Sequence, residues 1–152
     1  MGMDVMGMNP TNKAGEYFRN NVWWWHPLWT YCCEVDPELN SKVPNGHSND
    51  GDGLTDCEEC EELADKLQAS IDSGFADFYI SQRNLEIERI PLETCYICSG
   101  TGVREFEGKD MQCNVCEGKG KKKSIDAWYH IDLDNIKSFI EFLRNCGGFQ
   151  IC

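Results

Sequence analysis

Positive charge is what this chain has least of. Its 14 Lys and Arg stand against 26 Asp and Glu in 152 residues, a formal net charge of −12. Binding along a phosphate backbone relies on basic side chains that displace counterions, so this balance argues against DNA or RNA as the main partner. Long apolar runs are missing too. Nothing approaches the roughly 18 consecutive apolar residues that cross a bilayer, and no membrane association is expected. The opening residues Met1-Gly2-Met3-Asp4 carry neither a basic nor an apolar leader pattern. Met6 stands where a myristoylation signal requires Ser or Thr. The expected compartment is a reducing cytoplasm. No Ser/His/Asp set, paired-carboxylate signal or Walker-type glycine loop is present, and the chain reads as a non-enzymatic protein.

Cysteine, by contrast, is plentiful, with ten in the chain. In a reducing compartment, paired cysteines bind metal or pack rather than form disulfides. Four of them fall in two copies of one phrase, Cys95-Tyr-Ile-Cys98-Ser-Gly100-Thr-Gly102 and Cys113-Asn-Val-Cys116-Glu-Gly118-Lys-Gly120. Fourteen residues separate Cys98 from Cys113, one short of the usual ribbon spacing. Four thiolates arriving as two pairs suit one tetrahedral Zn²⁺ with no open position, the structural kind of site. A glycine two residues after each second cysteine can take φ > 0 and turn backbone N–H groups towards sulfur. Two disulfides or four buried thiols would explain neither the repeated glycines nor the internal symmetry.

This phrase resembles the repeat of the cysteine-rich domain of DnaJ-type (Hsp40) chaperones, over Cys95 to Gly120 only. The family carries four repeats and two zinc ions, so two repeats imply a single ion here. No His-Pro-Asp tripeptide is present, since His26-Pro27 is followed by Leu28. The resemblance therefore implies a zinc module without the J domain that recruits an Hsp70 partner.

Around that module the pattern predicts a mainly α (α+β) fold, a small helical domain with an inserted zinc-bound β-hairpin. Residues 1–15, rich in Met, Gly and Asn, are expected to be disordered, and residues 16–152 to form a single domain with the hairpin at 93–124. Pro27 fits the first position of a short helix reaching Val35, ended by Asp36-Pro37. Thr55, with Glu58 three residues on, predicts a capping box. The helix behind it buries Cys57, Cys60, Ala64, Leu67 and Ile71 and stops at Ser73-Gly74. A second helix is predicted from Phe75 to about Arg89, burying Phe78 and Leu85. Trp128-Tyr129-His130-Ile131 reads as extended. Asp132 caps a last helix with Ile136, Phe139, Ile140 and Leu143 inside, and Gly147 ends it in the left-handed region.

Three further motifs carry chemical readings. Residues Asn49 to Glu59 suggest a calcium loop, with Asp50, Asp52, Asp56 and Glu59 at ligand positions. Ser48 falls at the first position, however, and a turn delivering Thr55 to its helix accounts for the same residues, so Ca²⁺ is not expected. Cys57-x-x-Cys60 resembles a redox pair, or half of a second metal site with Cys32 and Cys33. Its acidic surroundings raise thiol pKa values, and packing is the expected role of all four. Lys119 and Lys121-Lys122-Lys123 form one basic island, read as a solvated edge.

The least ordinary stretch is Trp23-Trp24-Trp25-His26 with Trp29. Aromatic rings dominate small cores, but consecutive rings on a strand alternate sides. At least one should then be exposed, with His26 as a polar anchor, and these five residues are the candidate ligand-binding set.

The whole layout, with its Trp-Trp-x-Pro-Leu motif, Gly/Asp loop and Gly-Gly-Phe-x-x-Cys ending, resembles a group of small phage and prophage proteins. That resemblance implies a bacterial host cytoplasm. The expected function is a zinc-stabilised binding protein, with counter-defence by sequestering a nucleotide-derived host signal as its expected setting. A protein-interaction adaptor or inhibitor of a host protein, with exposed tryptophans as hot spots, is the alternative, and a DnaJ-like thiol or chaperone accessory comes third. Homo-oligomer formation is compatible with the aromatic content.

Overall fold

Met3 and Val5 are buried while Asp4 and Met6 are not. This is the period-2 alternation of a strand lying on a core. In the computed structural model, which describes residues 2–152, they belong to β1 (Gly2–Gly7). The segment expected to be disordered therefore supplies a central strand; Met1 lies outside the described residues. The register is antiparallel on both sides. Val5 faces Phe18 on β2 (Tyr17–Asn21) and Ile151 on β7 (Phe149–Ile151), giving the order β2-β1-β7. Between β1 and β2, α1 (Lys13–Glu16) is capped by Asn12, which accepts the Gly15 N–H.

The free edge of β7 is met by the Gly/Asp loop. Gly51 N–H donates to Ile151 C=O, Ile151 N–H to Asp52 C=O, and Phe149 N–H to Leu54 C=O. A Cβ on Gly53 would stand 2.1 Å from the Phe149 oxygen, so only glycine lets the loop approach this closely. The stretch read as a possible calcium loop works as an extra backbone rung.

The tryptophan-rich segment is helical. α2 runs Val22–Val35, with Asn21 as its N-cap accepting the Trp24 N–H. Pro27 sits inside this helix, correcting the expectation that it starts one. Proline has no N–H for the carbonyl four residues back. That carbonyl, on Trp23, accepts the His130 N–H at 3.1 Å instead, so the gap in the ladder becomes a tertiary tie.

Helix α4 (Cys57–Asp72) is capped by Asp56, whose carboxylate accepts the Glu58 N–H, rather than by Thr55. It buries Cys60, Leu63, Ala64, Leu67 and Ser70, while Cys57 at its first position is exposed. Short α3 (Leu39–Lys42) precedes it. Helix α6 (Leu133–Asn145) carries the predicted Asp132 cap and the predicted inner face, with Phe142 added. Its C-terminal carbonyls on Asn145 and Cys146 accept N–H groups from Thr11 and Asn9. Phe18, Trp25, Trp29, Phe139, Phe142 and Phe149 fill the space between these helices and the sheet.

The described chain divides into two compact units, one of residues up to Asn84 with Tyr129–Cys152 and one of Leu85–Trp128. The boundary falls within α5 (Phe75–Arg89). Of that helix only Ala76 is fully buried; Phe78 and Leu85, expected inside, are 61% and 44% exposed.

The second unit consists of two antiparallel ribbons. β3 (Glu93–Thr94) pairs with β6 (Lys121–Lys122), and β4 (Val103–Phe106) with β5 (Lys109–Gln112). Glu107 and Gly108, both at positive φ (51° and 76°), make the tight β4–β5 turn, whose handedness matches strand twist. A 3-10 turn, Ile125–Trp128, stands where an extended stretch was expected to begin. With its helices and small antiparallel sheets, the fold is α+β.

Candidate functional site

The buried cluster of the second unit is Cys95, Cys98, Cys113 and Cys116. Tyr96, Ile97, Val103, Phe106, Met111 and Val115 all face solvent. An interior of four thiols with its apolar side chains outside is not a hydrophobic core. Four buried thiols gathered this closely could hold a metal ion.

The two knuckles are related by an approximate two-fold exchange. Cys95 N–H donates to Gly120 C=O at 2.9 Å, and Cys113 N–H to Gly102 C=O at 2.8 Å. Gly102 N–H points at Cys98 Sγ (3.2 Å) and Gly120 N–H at Cys116 Sγ (3.3 Å). Both glycines have positive φ, 76° and 72°, and a Cβ on either would come within 2.2 Å of a carbonyl of the opposite knuckle. The repeated glycines thus do two jobs, aiming amides at sulfur and letting the knuckles close on each other.

The thiols suit zinc in size. All four Sγ atoms lie within 4.8 Å of one another. Cys95 and Cys113 are 3.9 Å apart, Cys98 and Cys116 3.6 Å. A tetrahedron with Zn–S bonds of about 2.3 Å has sulfurs about 3.8 Å apart. Desolvation raises the Cys98 thiol, but amide donors from Gly102 and Gly100 and the Cys116 thiol outweigh it and bring its pKa down to about 7. Amides at Cys116 and Val115 lower Cys113 in the same way, against desolvation. Cys116, desolvated and hydrogen-bonded to the other three thiols, is pushed up to about 11 against the Gly120 amide. The set can hold one metal ion, consistent with Zn²⁺, and four sulfurs leave it no position for substrate.

The other cysteines do not gather. Among the described residues, the knuckle thiols alone form a group of three or more close metal-ligating side chains. Cys60 pairs with Cys146, the residue that closes α6, instead of Cys57. Its thiol is pushed far up by that hydrogen bond and by burial. Burial raises Cys32 as well. These protonated, enclosed thiols are packing groups. The acidic loop residues have other partners: Asp52 accepts N–H groups from Asn45 and Gly53, and Glu59 pairs with Lys42 at 2.9 Å.

The five candidate ligand residues separate. Trp25 and Trp29 are fully buried and stacked at 5.5 Å, with Trp25 Nε1 donating to Gly46 C=O at 2.8 Å. On a helix, residues 25, 28, 29 and 32 share one face, so these two rings are core and out of a ligand's reach. Trp23, Trp24 and His26 occupy the other sides, partly exposed. There they meet rings remote in sequence. Trp23 packs edge-on against Tyr129 at 5.0 Å, Trp24 lies 5.5 Å from His130, and His26 stacks on Tyr129 at 5.9 Å. His26 Nε2 donates to His47 C=O at 2.9 Å, while burial and the His26 charge lower the His47 pKa. Trp24 also borders a shallow hollow with Asn20, Asp132, Asp134 and Asn135, whose charge is negative. No local sequence signal joins Tyr129, His130 and His47 to the tryptophans; the Trp23–His130 tie and the His26–His47 hydrogen bond do so in the fold.

No helix among the described residues is long and apolar enough to cross a membrane. Comparison with known proteins finds no matching family, no matching curated protein and no matching solved structure.

Proposed function

We propose that this is a zinc-stapled, non-enzymatic binding protein of phage type, which captures a small nucleotide-derived signal in a bacterial host. The observation that carries the binding reading is the closed sulfur tetrad: with every coordination position taken by the chain, the metal serves folding rather than chemistry. The resemblance of each knuckle to the DnaJ cysteine-rich repeat supports the same structural role. The phage-type layout supplies the setting, and the partly exposed aromatic rings supply the ligand class. Incubating the purified protein with a host nucleotide extract, followed by mass spectrometry of what denaturation releases, tests it. A retained nucleotide beside one zinc per chain is expected. Zinc alone would count against the ligand and leave the staple standing.

A second reading is an adaptor or inhibitor of a host protein. Tyr96 (70% exposed) and Phe106 (54%) favour it, because aromatic side chains held out by a rigid ribbon make contact hot spots. Capture of a single host protein, lost on Phe106→Ala with zinc retained, would decide for this reading.

A further inference from the structure

The basic island was read from sequence as a solvated edge, yet the structure folds it around a cleft. Leu92, Val115 and Trp128 form apolar walls, and Lys119, Lys121 and Lys123 stand among them, enclosing about 500 Å³. That volume lies in the range of small-ligand sites, which typically pair apolar walls with a few placed polar groups. Two further facts separate this cleft from an ordinary lysine-rich surface. Lys119 is engaged by Glu117 at 2.9 Å, and Lys122 lies over the Tyr96 ring at 4.4 Å. Lys121 and Lys123, two residues apart and so on one face of an extended chain, make no ion pair among the described residues. Beside them Trp128 is 54% exposed, although it is among the chain's most apolar side chains. A second hollow continues past Leu92 and Lys123 towards Ile90 and Ala127.

We propose that this cleft binds a planar aromatic anion of the nucleotide class, its ring on Trp128 and its phosphates at Lys121 and Lys123. This rests on the binding-protein reading above and gives it a site. The acidic hollow beside Trp24 repels phosphate, whereas here two unpaired cations flank an aromatic wall. The same charges select against a polymer. Two or three lysines neutralise two or three phosphates, and a chain carrying −12 repels the rest of a nucleic-acid backbone.

The test is isothermal titration of the zinc-loaded protein with adenosine diphosphate, adenosine, inorganic diphosphate and a short single-stranded oligonucleotide. Adenosine diphosphate is expected to bind, with both half-ligands weaker by about tenfold or more. Its affinity should fall as salt rises. Lys121→Ala with Lys123→Ala should weaken it by roughly tenfold or more, and Trp128→Ala by a comparable factor. Zinc content and melting temperature of the variants should match the parent, which separates a lost site from a lost fold. No binding of adenosine diphosphate, equal binding of adenosine, or tighter binding of the oligonucleotide overturns the proposal. If host extract yields a nucleotide whose retention survives the lysine changes but not Trp24→Ala, the binding-protein reading stands and this cleft falls.

Discussion

The two units are held together by different physics. The larger one buries seven large aromatic rings, and six of them, from α2, α6, β2 and β7, are in continuous contact. The smaller one buries four sulfurs and leaves most of its large apolar side chains exposed. A hydrophobic core spreads stability over many contacts, each replaceable at some cost. A metal core concentrates it in four bonds, and every one of them is needed.

Breaking the smaller unit should therefore have the largest effect. Cys116→Ser is expected to abolish stoichiometric zinc, checked by elemental analysis. It should also collapse the amide dispersion of residues 93–122 in NMR spectra, because structural zinc supplies on the order of 10 kcal/mol of folding energy. Signals from α4 and α6 should persist; if they vanish too, the units do not differ as described. Acid should produce the same loss by another route. Thiolates bind metal and thiols do not, so protons compete with the ion as pH falls, and retention should decline below neutrality in a chelator-dye assay.

The larger unit should yield by degrees. Trp25→Ala removes a fully buried ring and should cost about 3–5 kcal/mol in urea unfolding, with zinc content unchanged. Gly53→Ala sets a methyl against the Phe149 carbonyl and should cost about 1–3 kcal/mol, with faster exchange of the Phe149 and Ile151 amides. Asp132→Ala removes the α6 cap, which accepts the Asn135 N–H at 2.7 Å, and should cost about 1 kcal/mol. Zinc lost in step with stability across these three would erase the contrast between the units.

The same contrast explains what could be read from sequence. The close gathering of the four knuckle cysteines was legible because metal-binding chemistry needs fixed residue types at fixed spacing. The last helix was legible from its cap and from Ile136, Phe139, Ile140 and Leu143. β1 and β7 were hidden by brevity: Met3 and Val5, then Phe149 and Ile151, give the period-2 signal only twice each. Pro27 misled because a proline inside a helix needs a distant donor for the stranded carbonyl, and nothing local announces His130. The Trp25, Leu28, Trp29, Cys32 spacing did carry the helical period. Phe78 and Leu85 were expected inside because they are apolar, yet burial depends on a neighbour that sequence cannot supply. The lysine cleft was illegible for a similar reason: Leu92 and Trp128 meet the island only after the ribbon has folded.

The sheet of the larger unit joins residues 2–7 to residues 149–151. Strands this far apart in sequence pair only after a large loop closes, which makes that pairing slow. Leu85–Trp128 is one uninterrupted stretch and is under no such constraint. A metal held by its four thiols would order that stretch ahead of the aromatic core.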